Sequence, residues 1–380
     1  MVMTEIDPFR IAVPDAALDD LAARLGRARL PSPPILDGGE SAATIHRVEN
    51  LIGYWKTGYD WRAQERRLNA VPQFRATVDG VGIHFVHVPG AGPDPLPLLL
   101  TNGWPSSFIE YIGVLGPLSD PAANGGDPAD SFSVVAPALP GYGFSDRCLD
   151  RSLDRAQIAG LFHRLMVDGL GYRRYVAHGD DIGGGVVNRL GTRAPSQLVA
   201  VQTANPMDPH VGPDDPPLTP AERDYLAAAR EWDHTEGAYA HVQATRPQTL
   251  AYGLNDSPAG LAAWILEKWL TWTDPATRGR ISDDDLLTTV MIYWLTETIG
   301  SSSRLYALYS PPRPGDVVTV RTSVLAPHEP KLPVPPESWL RRGYPNLTRL
   351  VTLDEGGHFL ALESPERFVA EIRDAFRGYR

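Results

Sequence analysis

Asp181 stands in Ala177-His178-Gly179-Asp180-Asp181-Ile182-Gly183-Gly184-Gly185, after the apolar run Tyr175-Val176-Ala177 and before a helix-like stretch opening at Val186-Val187. The pattern reads as a strand, a tight turn and a helix with a carboxylate at the apex, an arrangement that holds a nucleophile out on a sharp elbow. Such an elbow leaves no room for side chains two residues before the nucleophile and two or three after it. Centred on Asp181, those places hold Gly179, Gly183 and Gly184; centred on Asp180, they would hold His178 and Ile182. Asp181 is therefore the candidate nucleophile. A carboxylate nucleophile points to attack on an alkyl carbon, of an epoxide or a halide, giving an ester that water then hydrolyses. From this stretch alone, an N-capping Asp in a Gly-rich turn would read the same way.

A nucleophile on such an elbow calls for an acid and a histidine later in the chain, in that order. His358, in Asp354-Glu355-Gly356-Gly357-His358-Phe359, follows a late strand-like run and precedes the final helix, where the base belongs. The acid should follow the strand ending near Leu325, and Glu329 in Ala326-Pro327-His328-Glu329 is the nearest carboxylate. It would accept the Nδ1 proton of His358 and fix its tautomer. Asp316 precedes that strand and Glu337 lies deep in a Pro-rich loop, which places both behind Glu329. Water attack on the ester needs an oxyanion hole. Its two backbone N–H groups are expected from Ile182 and, in Thr101-Asn102-Gly103-Trp104-Pro105, from Trp104.

These groups need elements to hold them. Residues 14–29 and 41–57 read as helices, the first with Leu18, Leu21, Ala22 and Leu25 at helical spacing. Tyr59 to Phe74 reads as an irregular, aromatic-rich segment, and Arg75 to Val88 as a hairpin around Asp79-Gly80. From Pro97 the pattern becomes buried strands joined by helices, as in a parallel sheet covered on both faces. Leu98-Leu99-Leu100, Phe132 to Ala136, Tyr175 to Ala177 and Leu198 to Ala204 are the first core strands, with a helix over 151–170. Between 207 and 315 the strand signal disappears, and Trp264 to Trp272, Asp283 to Trp294 and Ser303 to Tyr309 read as helical. Strands resume at Val317 to Val324 and Leu347 to Leu353, and a helix from Pro365 to Phe376 closes the chain.

Composition excludes several classes. The 380 residues are 43% hydrophobic and 21% charged, with a net charge of -11 mixed along the chain, against nucleic acid or an anionic membrane as partner. Met1 to Pro8 has no basic region followed by an apolar core, and no apolar run approaches the ~20 residues of a membrane helix, so a cytoplasmic protein is expected. Cys148 stands alone and is read as an inert thiol; no HExxH or CxxC spacing supports a metal.

Taken together these residues resemble the microsomal-type epoxide hydrolases, a branch of the α/β-hydrolase superfamily, over nearly the whole chain. Pro8-Phe9-Arg10-Ile11-Ala12-Val13-Pro14 and Tyr59-Asp60-Trp61-Arg62 with Pro72-Gln73-Phe74 are similar to that family's N-terminal segment. Pro140-Gly141-Tyr142-Gly143-Phe144-Ser145 and Leu254-Asn255-Asp256-Ser257-Pro258 carry the likeness onward, and the lack of a membrane helix resembles the soluble bacterial-type members. The resemblance implies an α/β-hydrolase fold with a mostly parallel sheet, a wrapping segment over 1–90, core halves over 91–206 and 316–380, and a helical cap over 207–315. It also implies that two cap tyrosines activate the epoxide oxygen, and Tyr239 and Tyr306 match those positions. Two departures stand out: Asn102 replaces a usual His, and Ile182 a frequent Trp, which should leave a roomier pocket floor.

The implied activity is hydrolysis of a small-molecule epoxide to a vicinal diol, without cofactor or metal, on a hydrophobic substrate if Trp264, Trp269, Trp272 and Trp294 line the cap interior. Those tryptophans at helical spacing are equally readable as cap core. A haloalkane dehalogenase and an epoxide-opening cyclase are the alternatives on the same fold; a non-catalytic binding protein is a third. The oligomeric state stays open, a homo-oligomer included.

Overall fold

Alternating apolar and polar residues on either side of Asp79-Gly80 make one end of the sheet antiparallel. The turn needs positive φ at both central residues, and Asp79 and Gly80 sit at φ 51° and 74°. The structure, a computed structural model, describes residues 6–31 and 40–380, with backbone alone for 40–42. The expectation for the start of the chain therefore lies, for residues 1–5, outside the described residues.

Among the described residues nine strands form one sheet: β1 (Asp7–Phe9), β2 (Gln73–Val78), β3 (Val81–Val88), β4 (Leu96–Thr101), β5 (Phe132–Pro137), β6 (Tyr175–Gly179), β7 (Leu198–Thr203), β8 (Arg321–Ala326) and β9 (Leu347–Thr352). Their order is β1-β2-β3-β5-β4-β6-β7-β8-β9, antiparallel as far as β5 and parallel from there on. At the centre of the sheet helices cover both faces: β5 is buried along its whole length, and Leu98, Leu99 and Leu100 of β4 are fully buried. β5 lies on one side of β4 and β6 on the other, so the strand order reverses there. Ligands of open α/β sheets bind beyond the carboxyl ends of strands at such a point. The loops leaving β4, β6, β8 and β9 carry Trp104, Asp181, Glu329 and His358 respectively.

Six α-helices stand between β7 and β8: Pro220–Glu236, Ala238–Thr245, Pro247–Asp256, Pro258–Trp272, Asp283–Thr296 and Ile299–Ala307. Pro258–Trp272 is pinned to the loops after β4 and β9, since Trp269 stacks on Phe359 with ring centroids 3.5 Å apart and its Nε1–H donates to the carbonyl of Pro105 at 3.3 Å. Among the described residues no helix is long and apolar enough to cross a membrane.

Some elements depart from the sequence reading. Trp61–Leu68 is a helix rather than an irregular segment: Asp60 caps it by accepting from the N–H of Ala63 at 3.1 Å, and Trp61, Gln64 and Leu68 are its buried face. The local signal is faint because only two of those three are apolar. Residues 317–320 precede β8 without joining it; Val318 instead donates its N–H to the carbonyl of Gly343. The helix expected over 151–170 starts at Arg155, behind a capping box from Asp154 to Gln157, and loosens into a π turn at Leu165–Gly169.

Candidate active site

Asp181 opens the helix Asp181–Arg193 immediately beyond β6, with its backbone at φ 45°. A side-chain-bearing residue held there stores roughly 1–3 kcal/mol of strain, which neighbouring groups must hold in place. Asn205, at the end of β7, does so by donating its Nδ2–H to the Asp181 carbonyl at 2.8 Å. The surrounding glycines answer a steric demand. A Cβ on Gly179 would stand 2.5 Å from the carbonyl oxygen of Gly183, and one on Gly183 2.2 Å from that of Thr101.

The two carboxylate oxygens of Asp181 face different surroundings. Oδ1 accepts from the backbone N–H of Trp104 at 2.9 Å and of Ile182 at 2.6 Å. Oδ2 is free of those donors and lies 3.8 Å from His358 Nε2. On the far side of the imidazole, Nδ1 hydrogen-bonds Glu329 Oε2 at 2.7 Å. Burial by itself would lower the His358 pKa, but the charge and hydrogen bond of Glu329 and the charges of Asp181 and Asp180 outweigh it and raise it to about 10. The imidazole is thus a cation between two carboxylates when Asp181 is ionised. Asp316 is elsewhere, paired with Arg189, and Glu337 is paired with Arg341.

The loop bearing His358 owes its shape to Glu363, a buried carboxylate that accepts from the N–H groups of Gly357, Phe359 and Asp274 at 2.8–2.9 Å. Gly357 is required there, because a Cβ would stand 2.5 Å from the Asp274 nitrogen. Across the cavity, the rings of Tyr239 and Tyr306 meet edge to face, with centroids 5.8 Å apart. Burial, reinforced by the charge of Asp181, holds both phenols well above their ordinary range, so both are neutral donors at physiological pH. Trp104 stacks on Tyr239 at 5.4 Å, and the Lys268 ammonium sits 4.9 Å from the centroid of the Tyr239 ring. The structure therefore brings together Asp181, His358, Glu329, Tyr239, Tyr306 and the N–H groups of Trp104 and Ile182. All of these but Trp104 border a cavity of about 260 Å³ whose walls include Trp232, Trp272 and Leu332.

Trp272, which the sequence leaves open between cap-interior lining and cap core, lies at the site, and further participants carry no motif. Trp272 touches both His358, at 4.8 Å between rings, and Tyr239, at 5.0 Å. Helical spacing could not tell this from core packing. Glu363 is an acid directly after the apolar run Phe359-Leu360-Ala361-Leu362, and Asn205 a polar residue just beyond a buried strand; both are legible signals of buried hydrogen bonding. Behind Asp181 lies a pair of buried acids. Glu110 Oε2 accepts from Ser106 Oγ at 2.6 Å and from Asn102 Nδ2 at 3.1 Å, while the Tyr111 hydroxyl donates to Asp180 Oδ2 at 3.1 Å. Asn102 thus braces the Trp104 loop through Glu110.

Burial pushes Glu110 up to about 7 from an ordinary 4.5 and Asp180 well above its usual range. A carboxyl whose folded pKa is raised stabilises fully below its unfolded pKa and loses that contribution as pH climbs through the folded value. For Glu110 the window runs from about 4.5 to about 7. The melting temperature of Glu110→Gln relative to wild type should accordingly rise by roughly a few °C between pH 5 and pH 8. Parallel thermal-melt curves for the two proteins would contradict a buried, proton-holding Glu110.

The family model described as "Epoxide hydrolase N terminus" matches residues 6–111. Epoxide hydrolase 1 of Sus scrofa is 32% identical, the match covering 97% of this chain and 88% of that protein. The chain belongs to the epoxide hydrolase family. A Stigmatella aurantiaca relative provisionally assigned to the same activity is 39% identical over 99% of this chain and 86% of its own. The structure of Aspergillus niger epoxide hydrolase superposes with a TM-score of 0.85 at 30% identity, covering 99% of this chain and 97% of that one. The fold is the α/β-hydrolase fold these epoxide hydrolases share.

Gly103 is where the loop after β4 comes closest to the Asp181 carboxylate: a Cβ there would lie 2.0 Å from Asp181 Oδ1 and 2.6 Å from the Ile182 nitrogen. Gly103→Ala should therefore displace the carboxylate from its two donors and lower epoxide turnover about 10²- to 10³-fold. Steady-state kcat beside an unchanged far-UV spectrum would check this; full activity would mean that Oδ1 needs neither N–H.

Proposed function

We propose that this protein hydrolyses an epoxide to a vicinal diol through an ester on Asp181. The observation that carries the reading is the division of labour at that carboxylate, with Oδ1 held by two backbone N–H groups and Oδ2 left facing the cavity and His358. Oδ2 attacks a ring carbon, the carbon–oxygen bond of the ring breaks, and the oxygen takes its proton from the Tyr239–Tyr306 pair. Esterification removes the charge of Asp181, one of the groups that raise the His358 pKa, so His358 becomes easier to deprotonate. The proton it then releases balances the one the tyrosine pair regains. Neutral His358, oriented by Glu329, draws a proton from water as that water attacks the Asp181 carbonyl carbon. The oxyanion at Oδ1 is stabilised by the N–H groups of Trp104 and Ile182. Collapse frees the diol, its departing oxygen protonated by His358, and the second proton of the water passes from the Asp181 carboxyl to His358, restoring carboxylate and imidazolium.

The four-part division belongs to this reading, with 1–90 wrapping the core halves 91–206 and 316–380 and 207–315 as the cap that delivers the tyrosines. A cytoplasmic setting and a hydrophobic epoxide belong to it as well, the latter supported by Trp232, Trp272 and Leu332 in the cavity wall. Turnover of a styrene-oxide-like epoxide to its diol tests the reaction. Tyr239→Phe should lower kcat about 10- to 100-fold by removing one donor to the opening oxygen. Halide release from an alkyl chloride that Tyr239→Phe leaves untouched, with no diol from epoxides, would favour a dehalogenase instead.

A further inference from the structure

Arg155 is the one arginine or lysine on the wall of the nucleophile's cavity, among the described residues. It also borders an adjoining cavity of about 380 Å³, with Asn205 the other residue common to both walls. No ion pair or hydrogen bond occupies its guanidinium among the described residues, and Nη1 is buried with no partner at all. That is unusual for a buried charged donor, which ordinarily costs free energy unless it is paired.

The nearby groups do not supply the missing partner. Arg189, in the same adjoining cavity, is already bound to Asp316 at 2.7 Å and to the Ser310 carbonyl at 2.8 Å. Asp154 is engaged by the N–H of Gln157 at 2.8 Å, and Asp208 by Trp339 Nε1 at 2.8 Å. Meanwhile the guanidinium is held in place. Its carbon lies 4.8 Å from the centroid of the Tyr309 ring, and Gly185 makes room for the stem, since a Cβ there would stand 2.6 Å from Arg155 Cδ and 2.9 Å from Nε. Gly185 is four residues along the helix that Asp181 opens, about 6 Å of rise.

We propose that Arg155 is an anion subsite and that the substrates are epoxides bearing a carboxylate on a short apolar spacer. The deduction rests on the epoxide hydrolase reading above. Trp232, Trp272 and Leu332 cover the spacer while the carboxylate reaches the guanidinium, whose planar fork matches it.

The probes are 4-(oxiran-2-ylmethoxy)benzoate, its methyl ester and the two corresponding diols. Wild-type kcat/KM for the acid should exceed that for the ester about 10- to 100-fold, chiefly through KM, and the ratio should shrink with added salt. Arg155→Met should bring the ratio to about one, and Arg155→Lys should restore part of it. A wild-type ratio near one, or a preference that survives in Arg155→Met, would overturn the proposal. Calorimetry with the diols reads the subsite without turnover: the diol acid should bind wild type at least about tenfold tighter than the diol ester, and equal binding would again overturn it. Should neither epoxide turn over, the hydrolase reading fails on its own, while diol binding still decides Arg155.

Discussion

Asp181→Asn should reduce diol formation by on the order of 10⁴-fold or more, because no other group can make the ester and the remaining machinery acts only on it. The substitution is chosen to spare the fold. An asparagine Oδ1 can still accept from Trp104 and Ile182, and Asn tolerates the positive φ of this position better than most residues. The melting temperature should therefore stay near that of wild type, and the diol analogue should still bind. Residual activity within about tenfold of wild type would mean that water attacks the epoxide directly, with Asp181 as no more than a charge.

His358→Gln should separate the two chemical steps. Attack by Oδ2 needs no base, so the variant should consume about one equivalent of epoxide and stop, with ester hydrolysis slowed roughly 10³- to 10⁴-fold. Intact-protein mass should then rise by the mass of the epoxide, on the peptide holding Asp181. Steady turnover with no adduct would contradict His358 as the base of the second step. In wild type the same logic has a pH signature. His358 titrates at about 10 while Asp181 is charged, and alkylation removes one of the charges that raise it. Ester decay in single turnovers should therefore rise with pH through an apparent pKa below about 10 and level off above it. A rise only above pH 10 would mean that Asp181 contributes nothing to holding that proton.

Much of the site could be read from sequence because steric demands write themselves in glycines. The choice of Asp181 over Asp180 rested on Gly179, Gly183 and Gly184, and the collisions a Cβ would meet at those positions are the physical content of that choice. The hairpin at Asp79-Gly80 was legible for the same reason. Partners that act through burial left weaker marks. Glu110 and Asp180 look like any acids until the fold removes water from them, and Trp272 shares its helical spacing with core tryptophans. The helix Trp61–Leu68 was missed because its buried face includes Gln64, which reaches Asp284 at 2.9 Å rather than packing as an apolar side chain. Arg155 could not be distinguished from the chain's other arginines by pattern, since what sets it apart is its place on the wall of the Asp181 cavity, a property of three dimensions.

The most direct test of the account follows oxygen. In a single turnover of a styrene-oxide-like epoxide in ¹⁸O water, the account predicts label in the carboxylate of Asp181 and an unlabelled new hydroxyl oxygen in the diol, taken from the protein. Label in the diol with none in Asp181 would show that water opens the ring itself and would contradict the aspartyl ester.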